Sequence, residues 1–124
     1  MKQMKPTKDC WSPVIVKNSK LVKIINAFNP RVRGITLFPF IFIRDEGDER
    51  IIRHESIHIA QYREMFVIGF LLLYLWDFVR GFIKYKTYDD AYRSIRFERE
   101  AYSFDGDPHY LEYREKHAWR QFKV

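Results

Sequence analysis

The chain has 124 residues, of which 47% are hydrophobic and 18% are aromatic. This length suits one domain over residues 1–124, and the apolar fraction excludes an intrinsically disordered chain. The single cysteine, Cys10, can form neither an internal disulfide nor a cysteine-based metal site by itself. The net charge of +6 favours anionic partners, among which phospholipid headgroups, nucleic acid and acidic proteins are all candidates.

The first part of the chain carries three short apolar runs that predict extended structure. Residues 14–16 and 21–25 are rich in β-branched side chains, and a polar pair between them indicates a turn. Residues 34–43 form a longer run, in which Pro39 indicates an edge strand or a bend. Together these runs predict a short N-terminal β-sheet.

The rest of the chain has helical periodicity. We expect one helix from Ile51, a second over residues 65–83, a third over residues 89–103 and a last one from Pro108 to about Gln121. A short sheet followed by a bundle of about four helices is an α+β fold.

The first predicted helix contains His54, Glu55 and His58, which form the pattern HExxH. Histidines at positions i and i+4 leave the same face of a helix, so both imidazoles can bind one zinc ion. Glu55 lies on the neighbouring flank, where its carboxylate can take a proton from a metal-bound water. The pattern therefore predicts a hydrolytic zinc site.

Catalytic zinc sites usually have three protein ligands. Gln61 and Glu64 stand where the extended metzincin motif requires Gly and His, so that class is excluded. The best candidates are Glu98 and Glu100, which lie about 200° apart around the third predicted helix, so both cannot face one metal. Glu98 is favoured because Ala101 shares its side of the helix. The remaining candidates lack a supporting motif: Cys10, His109 and His117.

Two motifs, HExxHxxQ over residues 54–61 and FExEA over residues 97–101, resemble those of small bacterial zincin-like proteins of the gluzincin type. The resemblance implies a minimal zincin-like fold, with HExxH on the first helix of the bundle, and a peptide or protein substrate. Zincins bind substrate as an added strand along a sheet edge. Residues 34–43 are then either that edge or an ordinary core strand.

The same resemblance implies roles for individual residues. It assigns zinc to three side chains, His54, His58 and Glu98, and makes Glu55 the general base. Tyr102 stands where thermolysin-like enzymes place an acid that hydrogen-bonds a zinc-binding histidine. We therefore expect Tyr102 to take that role or to stabilise the transition state, for which Tyr92, His109 and His117 are further candidates.

Residues 65–83 pose a separate question, because the first twelve of them carry no charge. The segment is too short for a typical membrane span and is flanked by basic residues. We consider a buried core helix, a helix in the interface of an anionic membrane, and a surface for self-association.

Two further function classes follow from the charge. One is a non-catalytic, zinc-stabilised basic binding module, either in solution or at a membrane surface. The other is a nucleic-acid-binding protein, but no base-reading motif is present, so no specific nucleic acid is expected. Residues 1–9 lack the apolar segment of a signal peptide, so we expect a cytoplasmic chain, either free or attached to the membrane through residues 65–83.

Overall fold

A computed structural model describes residues 13–29, 32–46 and 48–122. These residues form a three-stranded sheet, six α-helices and one turn of 3-10 helix. The elements in chain order are β1 (Val14–Val16), α1 (Lys20–Phe28), β2 (Gly34–Leu37), β3 (Phe40–Ile43), α2 (Glu49–Glu64), α3 (Ile68–Tyr85), α4 (Tyr88–Ser94), α5 (Arg96–Phe104), α6 (Tyr110–Tyr113) and the 3-10 turn (Ala118–Gln121). The predicted α+β class is confirmed.

The sheet has the strand order β1-β3-β2, with β1 parallel and β2 antiparallel to the central strand β3. Residues 34–43 were expected as one strand with an edge or a bend at Pro39, and the bend is present: they form the β2–β3 hairpin. Proline has no backbone N–H and its ring fixes φ, so Pro39 suits the turn between the strands. The hairpin leaves β2 at one edge of the sheet.

The prediction of a strand over residues 21–25 is wrong, because these residues lie in α1. The Ser19 side chain accepts a hydrogen bond from the Val22 backbone N–H and thereby caps the helix. Val22 is fully buried, whereas Leu21 and Ile24 are exposed. β-Branched side chains favour strands only where a pleated, half-buried surface receives them, and here the cap and the 3.6-residue periodicity prevail.

The single helix predicted over residues 89–103 is two helices, α4 and α5, which meet at the buried Ile95. Asp77 of α3 is fully buried at this break. Its carboxylate accepts from the Arg96 backbone N–H at 3.2 Å and from the Arg96 guanidinium at 2.7 and 2.8 Å. Asp77 therefore caps the N-terminus of α5, which places Glu98 in the first turn of that helix.

The helix predicted from Pro108 to Gln121 is also wrong in extent, because only α6 and the final 3-10 turn are helical there. Arg114 leaves the helical conformation directly after α6. Its guanidinium reaches Glu64 on α2 and Glu100 on α5, at 2.7 and 2.5 Å. These buried ion pairs outweigh the weak local preference for one more helical turn.

The main aromatic core lies between α2, α3, α5 and the C-terminal turn, and is built from Tyr62, Phe70, Phe97 and Trp119. Helix α3 contributes only one face to it. Leu71, Leu72 and Leu75 are 44, 65 and 59% exposed, so the interpretation of residues 65–83 as a buried core helix is wrong. No single helix among the described residues is long and apolar enough to cross a membrane. Helices α2 and α3 together meet that length and composition, but are bent by 114°.

Candidate metal centre

Two helices bring three buried side chains to one point. His54 and His58 lie one turn apart on α2, and Glu98 projects from α5, which packs beside α2. The Nε2 atom of His54 lies 3.1 Å from Glu98 Oε1, and the Nε2 atom of His58 lies 3.2 Å from Glu98 Oε2. One donor atom from each side chain lies within 4.8 Å of the other two. The expected convergence of these three residues is therefore present.

His54 is oriented by an acid that the sequence analysis did not identify. Its Nδ1 atom lies 3.0 Å from Asp105 Oδ2, and Asp105 also accepts from Arg50 Nε at 2.7 Å. A carboxylate oxygen accepts, so Nδ1 carries a hydrogen, and the other ring nitrogen, Nε2, faces Glu98. Burial by itself lowers the pKa of His54, but the hydrogen bonds with Asp105 and Glu98 outweigh it and raise the pKa to about 10.

His58 is oriented by Gln61, the last residue of HExxHxxQ. The Gln61 amide nitrogen donates to Glu100 Oε1 at 2.9 Å and to the Phe97 carbonyl at 3.1 Å. Its amide oxygen must therefore accept, and it lies 2.7 Å from His58 Nδ1. This arrangement places a hydrogen on Nδ1 and turns Nε2 towards Glu98. Burial lowers the pKa of His58, but the charge of Glu98 outweighs it and raises the pKa.

Glu98 accepts hydrogen bonds from two phenols besides facing the histidines. Tyr74 of α3 donates to Oε2 at 2.6 Å and Tyr92 of α4 donates to Oε1 at 3.1 Å. Burial alone would raise the pKa of Glu98, but the charge of His58 and the hydrogen bond from His54 hold it well below its usual value. Glu98 is therefore an anion inside the protein.

The donor set suits a metal ion of zinc type. A tetrahedron with bonds of about 2.0 Å has edges of about 3.3 Å, close to the two distances between histidine nitrogens and Glu98 oxygens. Among the described residues, the one buried side-chain polar atom without a hydrogen bond is Nε2 of His58. Buried polar atoms rarely lack a partner, so this nitrogen has the character of a metal ligand. Two imidazole nitrogens and one carboxylate leave a fourth position for water.

Glu55 lies on the side of His54 that faces a cleft of about 280 Å³. Its Oε1 atom accepts from the Thr36 hydroxyl at 2.5 Å. A Cβ atom at Gly34 would lie 3.1 Å from Glu55 Oε2, so the missing side chain at Gly34 makes room for this carboxylate. Strand β2 therefore holds Glu55 in place, close to the histidines but outside the cluster of three.

The edge strand β2 borders the same cleft. Arg44 N–H donates to the Arg33 carbonyl, so Gly34 and Thr36 are non-hydrogen-bonded partners in the hairpin register and their backbone groups point away from β3. The Tyr62 hydroxyl donates to the Thr36 carbonyl at 2.9 Å. The N–H and carbonyl of Gly34 remain directed towards the cleft, where an extended peptide could pair with them.

Tyr102 also lines the cleft, but its place differs from the one expected. Its ring packs against the His54 imidazole with the ring centroids 4.4 Å apart, and its hydroxyl lies 3.1 Å from the Tyr92 hydroxyl. Asp105, not Tyr102, hydrogen-bonds the histidine. Burial raises the pKa of both phenols, so both stay protonated and can donate hydrogen bonds.

The other candidates lie apart from this cluster. Glu100 faces Arg114, Tyr110 and Gln61 on the opposite side of α5 from the histidines. His109 is exposed, with its Nδ1 atom 3.0 Å from Glu112, and the His117 ring packs on Trp119. Cys10 lies outside the described residues.

Sequence reasoning missed Asp105 as the partner of His54 and Tyr74 as a partner of Glu98. No motif marks either residue. The contact between Gln61 and His58 could have been predicted from HExxHxxQ. Gln61 lies three residues after His58 on the same helix, and side chains at that spacing are neighbours.

Comparisons of the chain with protein-family models, with curated proteins and with solved structures found no match. The resemblance to gluzincin-type proteins therefore remains a prediction from the two motifs.

Proposed function

We propose that this chain is a zinc-dependent metallopeptidase with His54, His58 and Glu98 as metal ligands. The observation that carries the proposal is the orientation of both imidazoles. Asp105 and Gln61 hold the two Nδ1 atoms, so both Nε2 atoms face the carboxylate of Glu98 and would become metal donors when a metal ion displaces their protons. Metal-binding histidines in proteins are held in the same way, through the second ring nitrogen.

Zinc bound at such a site supplies a Lewis acid that lowers the pKa of a bound water to about 7. The chain's own base is Glu55, which lines the cleft and is buried against β2. Its carboxylate takes the proton of the attacking water and can return it to the leaving amine. The hydrogen bond from Thr36 keeps this carboxylate beside His54.

The substrate of the proposed reaction is an extended peptide. It would pair with the backbone groups of Gly34 that point away from β3, which brings a peptide carbonyl to the end of the cleft next to His54 and Glu55. The Tyr102 hydroxyl, which lines the cleft, is the phenolic donor for the negative oxygen that forms when water attacks this carbonyl, since Tyr92 gives its hydrogen to Glu98. Tyr102 is the more accessible of the two, at 36% exposure.

Burial supports a second candidate, a non-catalytic binding module in which zinc joins α2 to α5. His54, His58 and Glu98 are only 7, 4 and 4% exposed, and both oxygens of Glu98 accept from phenols. Structural zinc sites are closed in this manner. In this case the excess of basic residues would carry the binding function.

The two candidates are distinguished with Glu55→Gln. Purified protein is assayed for zinc by elemental analysis and for hydrolysis with a mixture of unstructured peptides. We expect one zinc per chain in the parent and in Glu55→Gln, and a fall in hydrolysis of about 100- to 10,000-fold in the variant, because the base is lost and the ligands remain.

Glu49→Gln is the matched control, because Glu49 lies on the same helix with a side chain that is 94% exposed. It should leave both zinc content and hydrolysis unchanged. Zinc binding without hydrolysis in the parent would favour the binding module, and absence of zinc from the parent would contradict both candidates.

A further inference from the structure

Helix α3 has an apolar outer face that no described residue covers. Its side chains recur at each helical turn over 16 residues, a length of about 24 Å. They are between 43 and 65% exposed, and we call them the outer stripe: Ile68, Leu71, Leu72, Leu75, Trp76, Val79, Phe82 and Ile83. Single exposed apolar residues are ordinary on protein surfaces, but a continuous row of eight large ones marks an interaction surface.

The exposed charged residues of α3 and of its C-cap all have one sign. Arg80, Lys84 and Lys86 are exposed at its C-terminal end. The only acid within residues 65–88 is Asp77, which is fully buried on the opposite face of α3 and paired with Arg96. The next acids along the chain, Asp89 and Asp90, lie past the turn, in the first turn of α4.

This charge distribution disfavours a second copy of the chain as the partner that covers the outer stripe. Two copies paired through the outer stripe would exclude water from the apolar side chains, but neither stripe carries an acid that could pair with Arg80 or Lys84 of the other copy. An anionic membrane surface provides both an apolar layer and compensating charge. Aromatic residues also suit that boundary, and Trp76, Tyr85 and Tyr88 are 56, 43 and 64% exposed.

We propose that the outer stripe of α3 lies in the interface of a membrane that contains anionic phospholipid. The helix lies parallel to the membrane plane, with its leucines below the headgroups and with Arg80 and Lys84 at headgroup level. Phe66 enters beside it, since this side chain is 86% exposed in the turn that precedes α3. The opposite face of α3 stays in the protein, where Tyr74 donates to Glu98.

The test is flotation of the full chain with two kinds of vesicle, phosphatidylcholine alone and an equal mixture of phosphatidylcholine and phosphatidylserine. We expect the chain to float with the mixed vesicles at low salt and to be released as salt is raised. Tryptophan emission should shift to shorter wavelength on binding, and Trp76→Phe should remove most of that shift.

Two sets of variants separate the apolar and charged contributions. Leu72→Gln with Leu75→Gln should lower the partition coefficient about tenfold or more, because two exposed leucines no longer enter the apolar layer. Arg80→Gln with Lys84→Gln should lower it about fivefold for each charge and should weaken its salt dependence. Both sets change exposed side chains, and circular dichroism checks that the fold is retained.

The matched control is Ile24→Gln with Lys116→Gln, which removes an exposed aliphatic side chain and an exposed charge outside α3. It should bind as the parent does. Equal binding to both kinds of vesicle, binding to neither, or unchanged binding of the α3 variants would overturn the proposal. A dimer in sedimentation velocity that Leu72→Gln with Leu75→Gln dissociates, without vesicle binding by the parent, would assign the outer stripe to a second copy.

Discussion

Glu98 and Glu100 lie two residues apart on α5, and both are buried, but their surroundings differ. Glu100 accepts from the Arg114 guanidinium, from the Tyr110 hydroxyl and from the Gln61 amide. Within the described part of the chain, Glu98 is paired with no arginine or lysine and is surrounded by two imidazoles and two phenols.

The difference concerns how each buried charge is compensated. A guanidinium never loses its proton in a protein, so the charge of Glu100 is compensated permanently and the contact holds the fold together. Imidazoles can gain or lose a proton or bind a metal, so the cation that compensates Glu98 can be exchanged. One helix therefore carries a structural carboxylate on one side and a carboxylate suited to a bound cation on the other.

The strongest test of the comparison removes the permanent cation. Arg114→Ala leaves Glu100 and Glu64 buried without their partner, and breaking a buried ion pair in this way costs about 3–5 kcal/mol of unfolding free energy. Urea denaturation of the metal-free protein measures the loss. Arg120→Ala, at an exposed position in the same C-terminal segment, is the control and should change stability little. A similar effect of both substitutions would contradict the structural role of Glu100.

The second prediction concerns Glu98, whose charge is compensated by groups that can be exchanged. Glu98→Gln keeps the size of the side chain but removes its charge, so zinc affinity should fall by more than about 100-fold. This loss exceeds the one expected when a residue that only hydrogen-bonds a metal ligand is removed. Competition with a chromophoric chelator measures the affinity. Glu100→Gln is the matched variant on the same helix and should instead act mainly on stability. If Glu100→Gln weakened zinc binding as much as Glu98→Gln, the assignment of a structural role to Glu100 and a metal-binding role to Glu98 would be wrong.

The smallest expected effect is at Gln61, which contacts both His58 and Glu100. Gln61→Met removes the acceptor for His58 Nδ1 and should lower zinc affinity about 10- to 100-fold. Gln61→Glu retains an oxygen for His58 but sets a second acid beside Glu100, so it should keep more of the affinity while losing stability. Equal zinc affinity in both variants would show that Gln61 does not orient His58.

Local patterns were sufficient for several features of this protein. The i, i+4 spacing of His54 and His58 determines a common face as soon as α2 forms, because helical geometry alone sets that direction. The same periodicity separates Glu98 from Glu100 and favoured Glu98 for the site. The α+β order and the bend at Pro39 also follow from neighbouring residues and were predicted correctly.

Local patterns failed where distant residues compete with propensity. Residues 21–25 form a helix because Ser19 caps it and one face is buried, although their composition favours a strand. The break at Ile95 depends on Asp77, which is 18 residues away, and the short extent of α6 depends on the ion pairs of Arg114. A window of sequence contains none of these partners.

The sequence by itself determined the chemical types at the candidate site and which of them share a helix face, since both follow from residue identity and helical periodicity. Only the tertiary structure decided that Asp105 holds His54 and that Tyr74 reaches Glu98, because these pairs are 51 and 24 residues apart. It also decided which side of α3 is exposed. Residues 65–76 are apolar on every side and carry no marker of their inner face, so packing against α4 and the aromatic core selects that face.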